Sequence, residues 1–268
     1  MLFGFGFSPS KPRKAGGVAN DPDAEAFFTA TGITDATQKS AVNQLVLDLK
    51  SYNIWTKMKA VYPMVGGTST THKFNLVNPA DTNAAFRLTF STGWTHSSTG
   101  AKPNGSSAFA NTNFTPSTNG MQLNSAHISF YSRTDSNTYM VEMGNWDTTT
   151  STLLLLRDSN TLTLRMNNTT NITFSNTNST GFYKSNRTAS NVLTGWKNGV
   201  KSVTSSVAST SLPTNVIYIG AFRDGSLTAY YSSKECAFAS IGDGLTDTEA
   251  ANFNTAVNNF QTTLGRNV

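Results

Sequence analysis

The sequence predicts an all-β fold, an antiparallel β-sandwich with short helices at its N- and C-terminal ends. Short runs of β-branched and aromatic residues alternate with turn-forming Gly, Asn and Asp over most of the 268 residues. Only 13% of the residues are charged, and Ser, Thr, Asn and Gly fill many of the positions between apolar ones. A capping-box sequence, Thr246-Asp247-Thr248-Glu249, follows the last apolar run and indicates the start of a helix.

The first 52 residues divide into an extended arm (1–22) and a helical segment (23–52). The arm alternates Phe with Gly and then continues with Ser, Pro, Lys and Arg, a composition without regular structure. In the helical segment a short helix ends at Gly32, and Asp35 with Gln38 can cap a second helix. We expect this helix pair to pack against the sandwich or a neighbouring subunit through the apolar stripe of the second helix, Val42, Leu45, Val46 and Leu49.

Residues 53–268 form the predicted sandwich with its C-terminal helix. The first strand is predicted at 54–65, and a long polar loop is predicted at 93–116. Two other runs alternate with a period of two, as half-buried strands do. They are 84–90, with Phe86, Leu88 and Phe90 inward, and 161–166, with Leu162, Leu164 and Met166 on one side. Further strands are predicted at 128–133, 139–143, 153–156, 172–174, 181–187 and 191–196.

The last part of the chain reads as one closing unit. Residues 216–222 are a continuous apolar run typical of a buried strand, and Asp224-Gly225 is a hairpin turn signal. Strands at 227–231 and 236–241 follow. The helix that begins at the capping box has one apolar stripe, Ala250, Phe253, Val257, Phe260 and Leu264.

Three motifs in this region resemble the concanavalin A-like lectin/glucanase superfamily, which includes laminin-G-like domains. They are Trp196-Lys197-Asn198-Gly199, Tyr218-Ile219-Gly220 and Leu245-Thr246-Asp247-Thr248-Glu249. Residues 55–67 are similar to a segment found in the variants of tailed-bacteriophage virion proteins. The resemblance implies a jelly-roll sandwich in which the first strand pairs with the last, 236–241. It also implies a binding function more often than a catalytic one.

Composition excludes several classes of function. A single cysteine, Cys236, cannot form an intrachain disulfide framework. The net charge of +5 comes without a basic stripe, so we expect no nucleic-acid partner. No run is long enough to span a membrane, and the first seven residues do not form a secretion signal. We therefore expect neither a membrane partner nor export by a host pathway.

The sequence lacks the residues of a glycosidase and of a metal site. Glycosidases of the resembled fold carry carboxylates spaced Glu-x-Asp-x-x-Glu on one strand, whereas Glu142 is alone on its predicted strand. His72, His96 and His127 are isolated, so no metal site is predicted. Asp147 and Asp158 could donate oxygens to a calcium ion, but no dense ligand string defines a site. We expect no enzyme activity and no cofactor.

Two groups of residues are candidates for carbohydrate binding. One is Trp94 with His96 and Asn104, and the other is Asn145, Trp146 and Asp147. Each joins an aromatic ring to polar side chains, the combination that binds a sugar. The alternative is that both tryptophans are ordinary packing residues.

The leading functional hypothesis is a non-enzymatic structural protein of a bacteriophage virion, of decoration or fibre type. Its sandwich would be displayed on the capsid or tail, and its partners would be other virion proteins and further copies of itself. The alternative is a carbohydrate-binding adhesin for host-surface glycans, and a glucanase-like enzyme is a third hypothesis. Docking of the arm into the particle would use Phe3, Phe5, Phe7, Lys11, Arg13 and Lys14. The alternative for the arm is a frayed terminus.

Deletion of residues 1–17 tests the arm. Burying one phenylalanine stabilises by about 1.5–3 kcal/mol, and ordering each residue costs about 1–2 kcal/mol. Burial of three rings therefore offsets the ordering cost of only a short arm. Several copies of the protein must bind together to supply the remaining affinity. We expect the truncated chain to keep its melting temperature and to be absent from purified particles by mass spectrometry. Normal incorporation would mean that the arm is only a frayed end.

Overall fold

A computed structural model describes residues 19–268, and its elements are numbered here in chain order. The helices of this range are α1 (Pro22–Thr31), α2 (Ala36–Ser51), α3 (Ser69–His72) and α4 (Asp247–Thr263). The strands are β1 (Met58–Tyr62), β2 (Thr89–Phe90), β3 (Trp94–Ser97), β4 (Gly100–Pro103), β5 (Ala110–Asn111), β6 (Ala126–Ser132), β7 (Met143–Trp146), β8 (Ser151–Asp158), β9 (Thr161–Asn168), β10 (Ile172–Ser175), β11 (Gly181–Ala189), β12 (Val192–Lys197), β13 (Val200–Ser205), β14 (Tyr218–Ile219), β15 (Phe222–Asp224), β16 (Leu227–Ala229) and β17 (Cys236–Gly242).

The strands form two sheets. Sheet A has the order β13-β12-β11-β6-β17-β4-β3, and β1 pairs with β17 beside β4. Sheet B has the order β10-β9-β8-β7-β14-β5-β2, and the β15–β16 hairpin adds to β7. All pairings are antiparallel except that of β15 with β7. The predicted antiparallel sandwich and the pairing of the first strand with the last are confirmed.

The molecule has three layers because sheet A is covered on both faces. One apolar cluster joins α1, α2 and α4 to the outer face of sheet A, where Tyr131, Phe182 and Phe238 lie. A second cluster fills the space between the sheets, where Phe130 of β6 and Leu154 of β8 are buried. The opposite face of sheet B carries only a small apolar cluster. The helix pair therefore packs against the sandwich, one of the two predicted alternatives.

The helix ends follow the capping signals of the sequence. Asp35 accepts a hydrogen bond from Gln38 N at the start of α2, and Gly32 ends α1 with φ of 68°. At α4 the Thr246 hydroxyl accepts from Glu249 N, and Glu249 accepts from Thr246 N. These bonds satisfy amides that a helix leaves without partners in its first turn.

Two predicted strands are shorter in the structure than in the prediction, because the local backbone geometry interrupts them. In 84–90 a 3₁₀ turn precedes Phe86, whose left-handed backbone (φ 58°) breaks the alternation, and only β2 remains as strand. Residues 54–65 begin with a 3₁₀ turn at Trp55–Lys57, so β1 starts at Met58. In both segments the apolar side chains still pack against a core cluster.

Three further predictions needed correction. The predicted polar loop 93–116 contains the β3–β4 hairpin and β5, because backbone pairing does not require apolar residues. The run 216–222 is split at Gly220, whose φ of 80° separates β14 from β15. Strand β7 begins at Met143, so Tyr139 to Glu142 lie outside the strand predicted for them.

Three long cationic side chains are buried in the layer of sheet A. Arg266 donates to the carbonyls of Met64, Pro63 and Ala237, and thereby attaches the C-terminal segment to the core. Arg187 similarly donates to four backbone carbonyls. Lys184 donates to Ala250 O in the first turn of α4 at 2.8 Å. Each cation is thus held by backbone oxygens, as a buried charge requires.

Two sequence predictions concern the membrane and the arm. In residues 19–268 no helix combines the length and apolar character needed to cross a bilayer. The predicted anchoring residues Phe3, Phe5, Phe7, Lys11, Arg13 and Lys14 lie outside the described residues. The domain boundaries at 22 and 52 stay a prediction, although α1 already begins at Pro22.

Lys184 should make stability depend on pH. Burial lowers the pKa of this amine to about 7 from its ordinary 10.5. Above pH 7 the unfolded chain therefore binds a proton that the folded chain does not, and stability rises by up to about 1.4 kcal/mol per pH unit. Lys184→Met should abolish this rise.

The measurement is urea unfolding of both proteins from pH 7 to pH 9, below the range in which the unfolded Cys236 thiol, with an ordinary pKa of 9.0, is mostly ionised. The matched control is Lys102→Met, an exposed lysine on β4. Equal pH slopes for wild type and Lys184→Met would contradict the prediction.

Candidate functional site

A cleft of about 80 Å³ lies on the outer face of sheet B. The alternation of β8 forms the floor of the cleft. Leu154 and Leu156 point into the core between the sheets, and Leu153 and Leu155 point outward. Its lining comes from β7, β8, β9, the β15–β16 hairpin and the segment before β7. The lining residues are Tyr139, Val141, Trp146, Leu153, Arg165, Phe222, Asp224 and Tyr230.

Two tyrosines form the exposed aromatic wall of the cleft. Tyr139 is 55% exposed and Tyr230 is 43% exposed, and their rings meet edge to face with centroids 5.1 Å apart. Tyr230 has a left-handed backbone, with φ of 53°, which is strained for a bulky residue. The Tyr230 carbonyl accepts a hydrogen bond from Val141 N, which connects the chain segments that carry the two tyrosines.

Several polar atoms of the cleft lack hydrogen-bond partners among residues 19–268. Arg165 uses Nε to donate to Asn171 at 2.7 Å, and its terminal nitrogens make no hydrogen bond or ion pair with residues 19–268. Neither does the carboxylate of Asp224 in that range. The indole N–H of Trp146 is buried and also has no acceptor in this part of the chain. The cleft therefore offers donors and an acceptor to a ligand.

The first predicted sugar-binding group lies elsewhere, at the β3 edge of sheet A. Trp94 donates through Nε1 to Phe109 O at 3.1 Å and packs against the core between the sheets. The Asn104 side chain accepts from three backbone amides of its own loop, Ser106 to Ala108. Trp94 and His96 line a shallow groove that shares no residue with the cleft on sheet B. Their packing roles are evident, and their binding role stays a prediction.

His96 is paired with His72 rather than isolated. Their Nδ1 atoms are 2.9 Å apart, and His72 Nε2 accepts from Gly67 N. His72 must therefore carry its proton on Nδ1 and donate it to His96. Burial, followed by the charge of His96, lowers the pKa of His72 to about 3, so this histidine is neutral. The pair joins the loop before α3 to strand β3.

Of the second predicted group, one residue lines the cleft and two have structural roles. Trp146 lines the cleft, as the prediction requires. Asn145 is fully buried and donates to Asn215 O. Asp147 accepts hydrogen bonds from Thr149, Thr150 and Thr214 at a chain crossing. Burial would raise the pKa of Asp147, but these bonds outweigh it and lower the pKa to about 2.

Of the eight lining residues, sequence reasoning identified only Trp146 as a site residue, and the polar and exposed aromatic residues that it missed are Tyr139, Arg165, Asp224 and Tyr230. The alternation in 161–166 does place Arg165 on the outer face of its strand, and this was the available signal. The approach of Tyr139 and Tyr230, 91 residues apart in the sequence numbering, has no local signal.

Candidate catalytic and metal residues do not converge within residues 19–268. Glu142 is fully buried and forms an ion pair with Lys234, so it has no access to a polysaccharide. The described residues contain no group of three or more His, Cys, Asp or Glu side chains placed to hold a metal ion. Asp147 precedes β8 and Asp158 ends it, so these two carboxylates lie at opposite ends of one strand and do not share an ion.

Comparisons with known proteins place the chain near several sandwich domains. No family model matches the chain, and no curated protein matches it. Sialidase NanB of Streptococcus pneumoniae is 15% identical with a TM-score of 0.38, and the match covers 48% of this chain and 23% of that one. The chain thus spans less than a quarter of that sialidase.

Two smaller proteins give similar values. The CBM40 of Ruminococcus gnavus IT-sialidase, bound to α2,3-sialyllactose, is 12% identical, with coverage of 48% and 80% and a TM-score of 0.39. Domains LG4-5 of mouse laminin α1 are 14% identical, with coverage of 44% and 36% and a TM-score of 0.35. These neighbours are concanavalin A-like sandwiches. TM-scores below 0.5 carry no functional argument, which must come from the cleft.

Replacing Asp147 distinguishes a structural role from a binding role. Because its carboxylate is hydrogen-bonded to two chain segments, Asp147→Ala should lower the free energy of unfolding by about 1–3 kcal/mol. The depressed pKa means that this contribution is present above the ordinary pKa of 3.8 and is lost as pH falls towards 2.

The matched control is Asp158→Ala at the other end of β8, where the carboxylate accepts one hydrogen bond from residues 19–268, from Ser159 Oγ at 3.3 Å. We expect this control to change stability little in urea unfolding at pH 7. Equal stability of the two variants would contradict the structural role of Asp147.

Proposed function

We propose that this chain is a non-enzymatic carbohydrate-binding protein whose binding site is the cleft on sheet B. The observation that carries the proposal is the presence of exposed tyrosine rings beside the carboxylate of Asp224 and the terminal guanidinium nitrogens of Arg165, which have no partner among residues 19–268. A sugar ring has an apolar face that packs on aromatic rings and hydroxyls that donate and accept at its rim. Arg165 supplies donors for those hydroxyls, and Asp224 supplies an acceptor.

The size of the cleft favours surface recognition. Sites that enclose a small molecule usually have about 300–1,000 Å³, and this cleft has about 80 Å³. A space of this size is too small to enclose an organic cofactor. A ligand therefore lies across the rings of Tyr139 and Tyr230, as one unit of a longer glycan can do, and the proposed binding needs no cofactor.

The same site supports binding without hydrolysis. Glycoside hydrolysis uses a pair of carboxyl groups on either side of the glycosidic bond. The cleft lining contains one carboxylate, Asp224, and Glu142 is buried beneath the surface. The absence of enzyme activity accordingly belongs to this proposal.

We further propose that the sandwich is displayed on a bacteriophage virion, on the capsid or the tail, as a structural protein of decoration or fibre type. The support is the sequence resemblance to tailed-bacteriophage virion proteins and the alternation of Phe and Gly at 3–7. The arm would bind other virion proteins, and several copies would give a weak cleft sufficient avidity for host-surface glycans. A free carbohydrate-binding adhesin is the alternative, and mass spectrometry of purified particles separates the two.

A glycan array followed by titration tests the cleft. We expect binding to one class of glycan, with the bound glycan recovered unchanged. Tyr139→Ala and Arg165→Met should each weaken this binding about tenfold, since each removes roughly 1–2 kcal/mol of contact. Both side chains are at the surface of the cleft, so the melting temperature should stay close to that of wild type.

Arg87→Met is the matched control for Arg165→Met. Arg87 is also half-buried, but it pairs with Asp81 and lines a groove on the other side of β2. Arg87→Met should leave the affinity for the glycan unchanged. Binding that is lost in Arg87→Met and kept in Arg165→Met would reject the cleft, and cleavage of the glycan would reject the non-enzymatic assignment.

A further inference from the structure

A lysine and a glutamate form an ion pair in the interior of the protein, next to the chain segments of the cleft. Lys234 Nζ lies 3.0 Å from Glu142 Oε1, and both side chains are 0% exposed. Glu142 immediately precedes β7, and Lys234 lies two residues before β17. The other lysine and arginine ion pairs among residues 19–268 all retain some contact with solvent.

The hydrogen bonds of this pair are unbalanced. A lysine ammonium has three N–H donors, and Lys234 Nζ has one acceptor in the described range, Glu142 Oε1. The carboxylate is better satisfied, because Oε2 accepts from Leu156 N at 2.7 Å and Oε1 also accepts from Ser232 Oγ at 3.1 Å. Lys184 Nζ also has a single acceptor in this range, but that acceptor is a backbone carbonyl, whereas Lys234 Nζ lies against a carboxyl group.

We propose that Lys234 and Glu142 condense to form an intramolecular isopeptide bond. The ammonium first transfers a proton to the carboxylate, which gives an amine and a carboxylic acid. The Nζ–Cδ bond then forms and the Cδ–Oε1 bond breaks. Oε1 leaves as water with two of the three ammonium protons, and the third proton stays on the amide nitrogen. No oxidant, reductant or other reactant is consumed.

The surrounding contacts suit this product. Oε2 becomes the amide oxygen and keeps its hydrogen bond from Leu156 N. The nitrogen keeps a single N–H, so two of the three N–H donors are removed, and the remaining one loses Oε1 as its acceptor when that oxygen leaves. Ser232 Oγ donates to Oε1, the atom that leaves, and so assists its departure. Burial raises the pKa of Glu142, which favours the carboxylic acid that the reaction needs.

The bond would covalently link two chain segments that line the cleft, the segment that carries Tyr139 and the segment that carries Tyr230. Glu142 is three residues from Tyr139, and Lys234 is four residues from Tyr230. The inference concerns the interior of the fold and does not depend on carbohydrate binding.

Mass spectrometry of the denatured full-length chain after trypsin digestion tests the proposal. The linked protein should yield residues 134–157 joined to residues 224–266, lighter by one water molecule, because trypsin cannot cleave after a modified Lys234. Fragmentation should place the link between Glu142 and Lys234. The intact chain should be lighter by the same mass, and Lys234→Met should restore it.

The Lys57–Glu249 pair provides an internal control. Its atoms are 2.6 Å apart, but both side chains contact solvent, so Lys57 should be cleaved normally, and Lys57→Met should keep the water loss. Separate peptides 134–157, 224–234 and 235–266 from the wild-type chain would overturn the proposal. So would a water loss that maps to any other residue pair. Because the wild-type digest decides the result, the test holds even if Lys234→Met does not fold.

Discussion

The burial of sheet A on both faces is the constraint on which the rest of the structure depends. Its central strand β17 contacts the helix layer through Ala237 and Phe238 and the other sheet through Ala239 and Ile241. The helices occupy the face that a simple two-layer sandwich leaves to solvent. None of the helices α1 to α4 packs on the outer face of sheet B, which remains available for a ligand. The cleft lies on that outer face, so the position of the proposed function follows from the packing of the helices.

The buried cations show how this doubly covered sheet is held together. Arg266, Arg187 and Lys184 each end on backbone carbonyls instead of carboxylates. Such contacts connect elements that are distant in sequence, and Arg266 alone joins the C-terminus to residues 63–64 and to β17. The cost is a desolvated charge, which is visible in the lowered pKa of Lys184. Glu142 and Lys234 differ from this pattern, because the amine there meets a carboxyl group with which it can react.

The cleft combines features that a purely structural surface does not need. Tyr230 has a left-handed backbone and a ring that stays 43% exposed above a small apolar cluster. Arg165 sits beside these rings, and its terminal nitrogens have no partner among residues 19–268. A binding role accounts for all three observations. A linked Glu142 and Lys234 would hold the two aromatic segments at a constant separation, which reduces the ordering cost of binding.

The sequence by itself determined the fold class, the helix caps and the inward and outward faces of β9. Capping at Asp35 and Thr246 depends on side chains within three residues, and the alternation of Leu162, Leu164 and Met166 depends on the pleat of one strand, so both are local. The resemblance added the pairing of β1 with β17. The tertiary structure alone decided that Trp94 packs at a sheet edge and that Asn145 and Asp147 hold the chain together. It also decided that Tyr139, Arg165, Asp224 and Tyr230 share one cleft. These residues come from three separate segments, and only the packing of the hairpin against β7 brings them within reach of one ligand.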